Sequence, residues 1–307
     1  MNSENQGNCA GIVLYNPDLD RLDQNINSIR NQIDLIFLID NNSENITLIT
    51  QKYNNDAQIH IMKNYENKGI AFALNQICQL AIAFKYEWVL LLDQDSICSS
   101  KIIRTYNNYT SDQSVALLTP YIIDINKTNL EEYKSKRLTN FSFVEWAITS
   151  GSMIRIDAWK KVGFFDEELF IDAVDFDFSF RLQINGYKQI RINSEYLLQE
   201  VGNAEPTWIY RPHIDNSGKW TIKRYYRTNH SLIRQYYMIR NHLIIARKYQ
   251  KYKSKNRRII FVIALALPKI FVEKNKFKLV KVMYKGFIDG FKFNVKIYTR
   301  EEKRNIR

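Results

Sequence analysis

Two aspartates one residue apart, Asp93 and Asp95, close the apolar run Trp88-Val89-Leu90-Leu91-Leu92. Hard oxygen donors at that spacing suit a divalent ion such as Mg²⁺ or Mn²⁺ with open coordination positions, which diphosphate oxygens could complete. A strand-terminal aspartate can also cap the following helix. One cap needs only one carboxylate, however, and the second negative charge calls for a cation. Two other apolar runs end in ligand-capable residues: GIVLY at Tyr15-Asn16-Pro17, and LIFLI at Asp40-Asn41-Asn42-Ser43. Asp40 alone reads equally well as a cap. Asn67-Lys68-Gly69 stands before a helical pattern, where glycine permits close backbone approach and the helix N-terminus favours negative charge. Taken alone, it is also an ordinary turn. Neither GxGxxG nor GxxxxGK[ST] is present, so the familiar dinucleotide and P-loop solutions are not used.

A second acidic cluster lies in FDEELFIDAVDFDFSFRL, residues 165–182. Asp166, Glu167 and Glu168 read as a solvated face. Asp172 and Asp175 alternate with Phe170, Ile171, Val174 and Phe176, which fits solvation poorly. A helix beginning near Asp175 puts Asp177 about 200° away from it. The helix dipole there favours the ionised form that a general base requires; a plain N-cap is the competing reading. Asp172, three residues earlier, is a further candidate to line a ligand pocket with Trp146, whose ring offers a stacking surface.

The elements that must position these groups alternate strand and helix. Strand patterns fall at 11–15, 35–39, 58–62, 88–92 and 115–119. Helical patterns fall at 19–33, where Leu19, Leu22, Ile26, Ile29 and Ile33 share a face, and at 70–85. Continuous apolar strands belong to a parallel sheet covered on both faces. The expected fold is therefore an α/β/α sandwich with ligands at the carboxyl ends of its strands. Residues 124–139 are polar and predict a surface loop. Residues 230–249 predict a helix, and the apolar stretch 259–267 is expected to stop at Pro268.

The chain has 307 residues and a net charge of +12. From residue 205 onward, 26 Lys and Arg face 6 Asp and Glu, a balance of +20, which leaves −8 on the remainder. The organisation expected is an α/β domain over 1–204, with halves at about 1–120 and 121–204, followed by a basic, mainly helical region over 205–307. Cys9, Cys78 and Cys98 are scattered and show no CxxC, so neither a disulfide framework nor a zinc site is indicated, and a reducing compartment is expected. The polar start MNSENQGNCAG lacks a signal-peptide pattern. No apolar run reaches the length of a spanning helix.

The segments GIVLYNPD, LIDNNSEN, NKGIAFALN, LLLDQDS, TSGSMIRIDAWKKVGFFDEELFIDAVDFDFSFRL, RQYYMIRN and GFIDGF, in this order over nearly the whole chain, resemble family 2 nucleotide-sugar glycosyltransferases of the GT-A fold. The bacterial rhamnosyltransferase-like branch is the nearest in pattern. The resemblance implies inverting sugar transfer from a nucleotide-sugar donor, dTDP-rhamnose or a UDP-sugar. It implies that Asp40 binds the pyrimidine, that Asp95 holds the metal with Asp93 nearer the ribose, and that Asp175 is the general base. It places Tyr15, Asn16, Asn67, Lys68 and Gly69 around the donor. The usual Glu-Asp pair reads Val174-Asp175 here, as in rhamnosyltransferase-like members. Gln199 stands where relatives often carry a metal-ligating histidine.

Two rival readings fit the residues less well. A sugar nucleotidyltransferase would carry a glycine- and lysine-rich phosphate loop after the first strand, which YNPDLDRLDQN lacks. A nucleic-acid-binding protein would use the basic–aromatic runs, but the acidic remainder repels nucleic acid, so none is expected as a partner. The expected partners are the donor, a saccharide acceptor that a lipid could carry, an anionic membrane surface met through the basic region, and a second copy of the chain. The run 259–267 reads equally as a shallow membrane contact or a buried core helix. The expected location is cytoplasmic, at the inner face of the cell membrane.

Overall fold

The structure, a computed structural model, describes residues 7–126, 130–199, 205–214, 220–227, 229–252, 254–273 and 275–298. The expected boundary at 204 and the first six residues lie outside them. Two compact units divide the chain, Met1–Glu200 and Val201–Arg307.

The first unit runs β1 (Cys9–Leu14), α1 (Leu19–Ile29), β2 (Leu35–Asp40), α2 (Ile46–Tyr53), β3 (Ile59–Lys63), α3 (Ile70–Ala83), β4 (Trp88–Asp93), β5 (Ile97–Cys98), α4 (Ile102–Asn107), β6 (Val115–Asp124), α5 (Leu130–Ser135), β7 (Phe141–Phe143), β8 (Ser152–Arg155), α6 (Ile156–Val162), α7 (Val174–Ile184) and β9 (Lys188–Gln199). The sheet order is β3-β2-β1-β4-β8-β6-β9-β5, with β7 beside β9. The first four strands in that order are mutually parallel. β8 then runs antiparallel to both β4 and β6. Ala10, Ile12, Leu14, Leu90 and Leu92 face a layer formed by α1, α2 and α4, whose Leu22, Ile26, Ile49 and Ile102 complete a dry core. On the other face Gly11 lies against Ile77 of α3. Burial on both faces is what allowed the strands to be continuously apolar.

The 124–139 segment is not simply a loop, because it contains α5. Only one residue of α5, Tyr133, is buried. Its hydroxyl donates to the Asn193 carbonyl at 2.7 Å, and its ring packs between Tyr121 and Tyr196. A helix anchored by one side chain leaves no hydrophobic period to read.

The second unit contains β10 (Glu205–Ile214), β11 (Trp220–Arg227), α8 (Leu232–Lys248), α9 (Lys255–Val272) and α10 (Lys276–Lys292). β10 and β11 pair antiparallel, a hairpin absent from the sequence expectation of helices. α9 also departs from expectation, running through Pro268 to Val272. Proline removes one helical hydrogen bond. Here Val262 with Ile259, Ala266 and Ile270 spans the proline and packs on Ile239, Leu243, Leu279 and Met283, so tertiary burial holds the helix on both sides of it. α8 and α10 cross closely at Gly286 and Gly290. A Cβ there would stand 2.6 Å from the Tyr236 carbonyl oxygen and 2.8 Å from that of Arg240, respectively. Among the described residues, no helix is long and apolar enough to cross a membrane.

Candidate active site

The strand ends at Leu14, Asp40 and Asp93 lie side by side because β2, β1 and β4 are adjacent and in parallel register. Their connecting loops are tied together by side-chain amides and hydroxyls. The Tyr15 amide donates to Gln94 Oε1 at 2.8 Å, and the Asn16 amide to Ser43 Oγ at 2.8 Å. Asn16 Oδ1 accepts from the Glu44 amide at 2.7 Å. Asn16 takes a φ of 48°, a left-handed conformation that asparagine tolerates better than most residues.

Asp40 is 1% exposed. Its carboxylate accepts from the Ser43 amide at 3.2 Å, holding the turn after β2. It does not cap α2, whose N-cap residue is Asn45. The neighbouring Asn41, named in the sequence only as part of the strand end, clamps the Asn67–Gly69 turn. Its Nδ2 donates to Asn67 Oδ1 at 3.0 Å and to the Gly69 carbonyl at 3.1 Å, and its Oδ1 accepts from the Lys68 amide at 3.2 Å. Gly69 has φ 87°, and a Cβ there would stand 2.5 Å from the Phe170 carbonyl oxygen. The glycine is therefore required both by its dihedral and by the close approach. That carbonyl accepts from the Ile70 amide at 2.7 Å, so the loop at the start of α3 is seated on the segment that leads to Asp175. Lys68 is exposed, with its Nζ near Glu66 and over the Phe72 ring.

Asp93 closes β4, and Asp95 sits in the turn after it. The Asp93 amide donates to Ser150 Oγ at 2.9 Å, and its carbonyl accepts from Asn25 of α1 at 2.6 Å. Gln199, at the end of β9, donates from Nε2 to Asp93 Oδ2 at 3.1 Å. The position where relatives often carry histidine thus faces Asp93, but it presents an amide donor. Among the described residues, no group of three His, Cys, Asp or Glu side chains is placed to hold a metal. The residues present nevertheless fit a hard divalent ion: two carboxylates supply anionic oxygen, and a donor diphosphate and water can fill the remaining positions.

Asp175 is the second residue of α7 and not its N-cap, which is Ala173. Its Oδ1 accepts from the Phe176 amide at 2.9 Å. Phe170, Asp172 and Ala173 all have positive φ, between 55° and 65°. Three non-glycine residues in that region, packed before one acid, concentrate backbone strain where the chain presents a functional group. Burial pushes the Asp175 carboxyl up to about 6, and the negative charges of Asp172 and Asp93 add to the rise against the Phe176 hydrogen bond. Desolvation therefore outweighs the helix dipole in setting the proton affinity of Asp175, while leaving the carboxyl ionised above about pH 6. Asp177 points into the core, where its carboxylate meets Arg181 Nε at 2.8 Å and Nη2 at 2.7 Å. Arg181 Nη1 also donates to the Val162 carbonyl at 2.7 Å, which fixes α7 and so Asp175. Trp146 is 45% exposed and packs on Phe176, ring centroids 4.4 Å apart. Asp166 accepts from the Glu168 amide at 3.2 Å in a short 3₁₀ turn. Cys9, Cys78 and Cys98 are free and buried, and burial raises each thiol's pKa, to about 12 for Cys98.

A mixed sheet whose parallel strands carry acids at their carboxyl ends fits the GT-A glycosyltransferase fold. The family model of glycosyl transferase family 2 matches residues 9–166, and the chain belongs to that family. It is 27% identical over 297 residues to the dTDP-rhamnosyl transferase RfbF of Shigella flexneri, covering 92% of this chain and 95% of the relative. Among solved structures it resembles GalNAc-T7 with UDP, GalNAc and Mn²⁺, with TM-score 0.60 and 13% identity, covering 94% of this chain and 57% of that one. It also resembles S. aureus TarS 1-349 in complex with UDP-GlcNAc, with TM-score 0.55 and 15% identity, covering 92% and 81%. At these identities the structural likenesses speak for the fold alone.

Proposed function

We propose that the chain moves rhamnose from dTDP-rhamnose to a saccharide hydroxyl with inversion, Asp175 acting as the base. The observation that carries the base assignment is the half-buried Asp175 carboxyl, whose affinity for a proton is raised into the range useful near neutral pH. The acceptor oxygen bonds to the anomeric carbon as the bond from that carbon to the diphosphate oxygen breaks. The hydroxyl proton passes to Asp175, and the electron pair leaves on dTDP. Asp40 receives the base of the nucleotide, Tyr15 and Asn16 border it, and Asn67, Lys68 and Gly69 approach the diphosphate. Asp95 and Asp93 would hold Mg²⁺ or Mn²⁺, which when bound neutralises charge on the departing diphosphate. Trp146 and Asp172 line the acceptor side, Trp146 offering its exposed ring as a stacking platform. The likeness to RfbF over nearly both whole chains supports rhamnose as the donor sugar.

The acceptor in this reading is carried on a lipid at the inner face of the cell membrane. Two features of the second unit support that. Ile260, Ile263, Leu267 and Phe271 form an exposed apolar stripe on α9, and α9 carries Lys255, Arg257, Arg258 and Lys269 with no acid. The hairpin exposes Trp208 and Trp220, a residue type that favours membrane–water interfaces. Flotation with anionic liposomes at low salt tests this. Loss of flotation in Ile263→Ser/Leu267→Ser supports it, whereas a wild type that stays with the soluble fraction overturns it.

A panel of nucleotide sugars tests the donor. Fastest transfer from dTDP-rhamnose, with the product of opposite anomeric configuration, is expected. Use of UDP-sugars alone, or retention of configuration, overturns the reading. Asp95→Ala is expected to abolish turnover and to remove any difference between Mn²⁺ and EDTA in stabilisation by dTDP.

A further inference from the structure

The second unit contains a cavity of about 390 Å³ lined by Glu205, Asn229, His230, Ser231, Leu232, Gln235, Glu273, Asn275 and Leu279. None of these residues serves the reaction proposed above. Gln235 is 1% exposed. Its Oε1 accepts from Lys269 Nζ at 2.7 Å, and lysine has no acceptor, so the amide's orientation is fixed. Its Nε2 is left buried with no partner. An unsatisfied buried donor costs about 1–3 kcal/mol, so a site that keeps one calls for an acceptor atom from outside the fold. The N-terminus of the 17-residue helix α8, capped by Ser231, opens on the same space, and Asn229 before it is held at φ 51°.

The lining restricts what that acceptor belongs to. Two carboxylates, Glu205 and Glu273, disfavour a phosphate or another anion. Glu205 is already paired with Arg227 and accepts from Asn229 at 3.1 Å, which leaves a poor cation site. A ligand that meets this lining accepts from Gln235 and donates to a carboxylate such as Glu273, and a hydroxyl group can do both. Leu232 and Leu279 add apolar surface suited to the C–H face of a pyranose. We infer that this cavity is a second, non-catalytic saccharide site, taking a neutral, hydroxyl-rich sugar of the acceptor or product. The inference rests on the chain being a glycosyltransferase and not on the base or donor assignment.

Ligand-observed NMR titration of the full chain tests it, with the methyl glycosides of rhamnose, glucose, galactose and N-acetylglucosamine as probes. Gln235→Met removes the buried donor at nearly constant volume, and Glu273→Ala removes a carboxylate at the rim. At least one glycoside is expected to bind the wild type, and each variant should weaken it by about tenfold, as for one buried hydrogen bond. Binding of dTDP should be unchanged. If Gln235→Met fails to fold, Glu273→Ala alone decides. Binding unaltered in the variants would place the sugar in the catalytic cleft. Absence of glycoside binding in a wild type that still transfers sugar would leave only water in the cavity. Either result overturns the inference without touching the reaction.

Discussion

Replacing Asp175 by Asn separates a base from an acid with only a structural role through two readouts of opposite sign. The Asp175 carboxyl rises from 3.8 to about 6 on folding, chiefly through burial. The folded state therefore favours the protonated form. Its stabilising contribution is fully present below about pH 3.8 and is lost as pH rises through about 6. At about 1.4 kcal/mol per tenfold change in proton affinity, the ceiling is ~3 kcal/mol. Partial solvent contact reduces this to about 1–2 kcal/mol. Asparagine keeps the acceptor for the Phe176 amide, now held at 2.9 Å, but carries no charge to desolvate. In EDTA at pH 7.5, Asp175→Asn should melt higher than the wild type, by about 2–4 °C per kcal/mol recovered. At pH 4 the two should converge. Transfer by the variant should fall at least about a hundredfold at every pH. Differential scanning fluorimetry across pH, run beside a donor-hydrolysis assay, measures both. A variant that is less stable at pH 7.5, or equally active, would refute the reasoning, and wild-type activity alongside an inactive Asp172→Asn would move the base to Asp172.

Three further outcomes follow from the same geometry. Gln199→His replaces an amide donor 3.1 Å from Asp93 with an imidazole suited to transition metals, and should tighten Mn²⁺ binding by about tenfold (~1.4 kcal/mol) in calorimetry; unchanged affinity would show that residue 199 does not reach the ion. Arg181→Ala strands the buried Asp177 carboxylate and should cost about 3–5 kcal/mol in denaturant unfolding, with a loss under about 1 kcal/mol counting against that role. Asp40→Ala should weaken dTDP binding in EDTA, where no metal contributes; equal affinity would return Asp40 to holding its turn alone.

Local pattern carried much of the catalytic unit. The runs ending at Leu14, Asp40 and Asp93 declared themselves as buried parallel strands through continuous hydrophobicity, and a parallel sheet gathers its strand ends at one edge. Asp40, Asp93 and Asp95 were therefore legible as residues of one edge of the sheet, while the strand order that sets their spacing was not. The Asp166–Asp177 cluster was legible too, because aspartates interleaved with phenylalanines cannot all be solvated. What local pattern could not supply were effects arising from residues distant in sequence. Asn41 and Gln199 act through single long-range hydrogen bonds, to the Asn67–Gly69 turn and to Asp93, and one polar residue leaves no periodic trace. The β10–β11 hairpin carries Pro206 and Pro212, which obscure a strand pattern, and α9 passes Pro268 because burial on both sides of it outweighs one lost hydrogen bond. The proton affinity of Asp175 turned on the same distinction. Sequence placed it in the first turn of a helix, where the dipole favours a carboxylate, but only the tertiary structure buried it beside Asp172 and Asp93, and desolvation in that setting is the larger force.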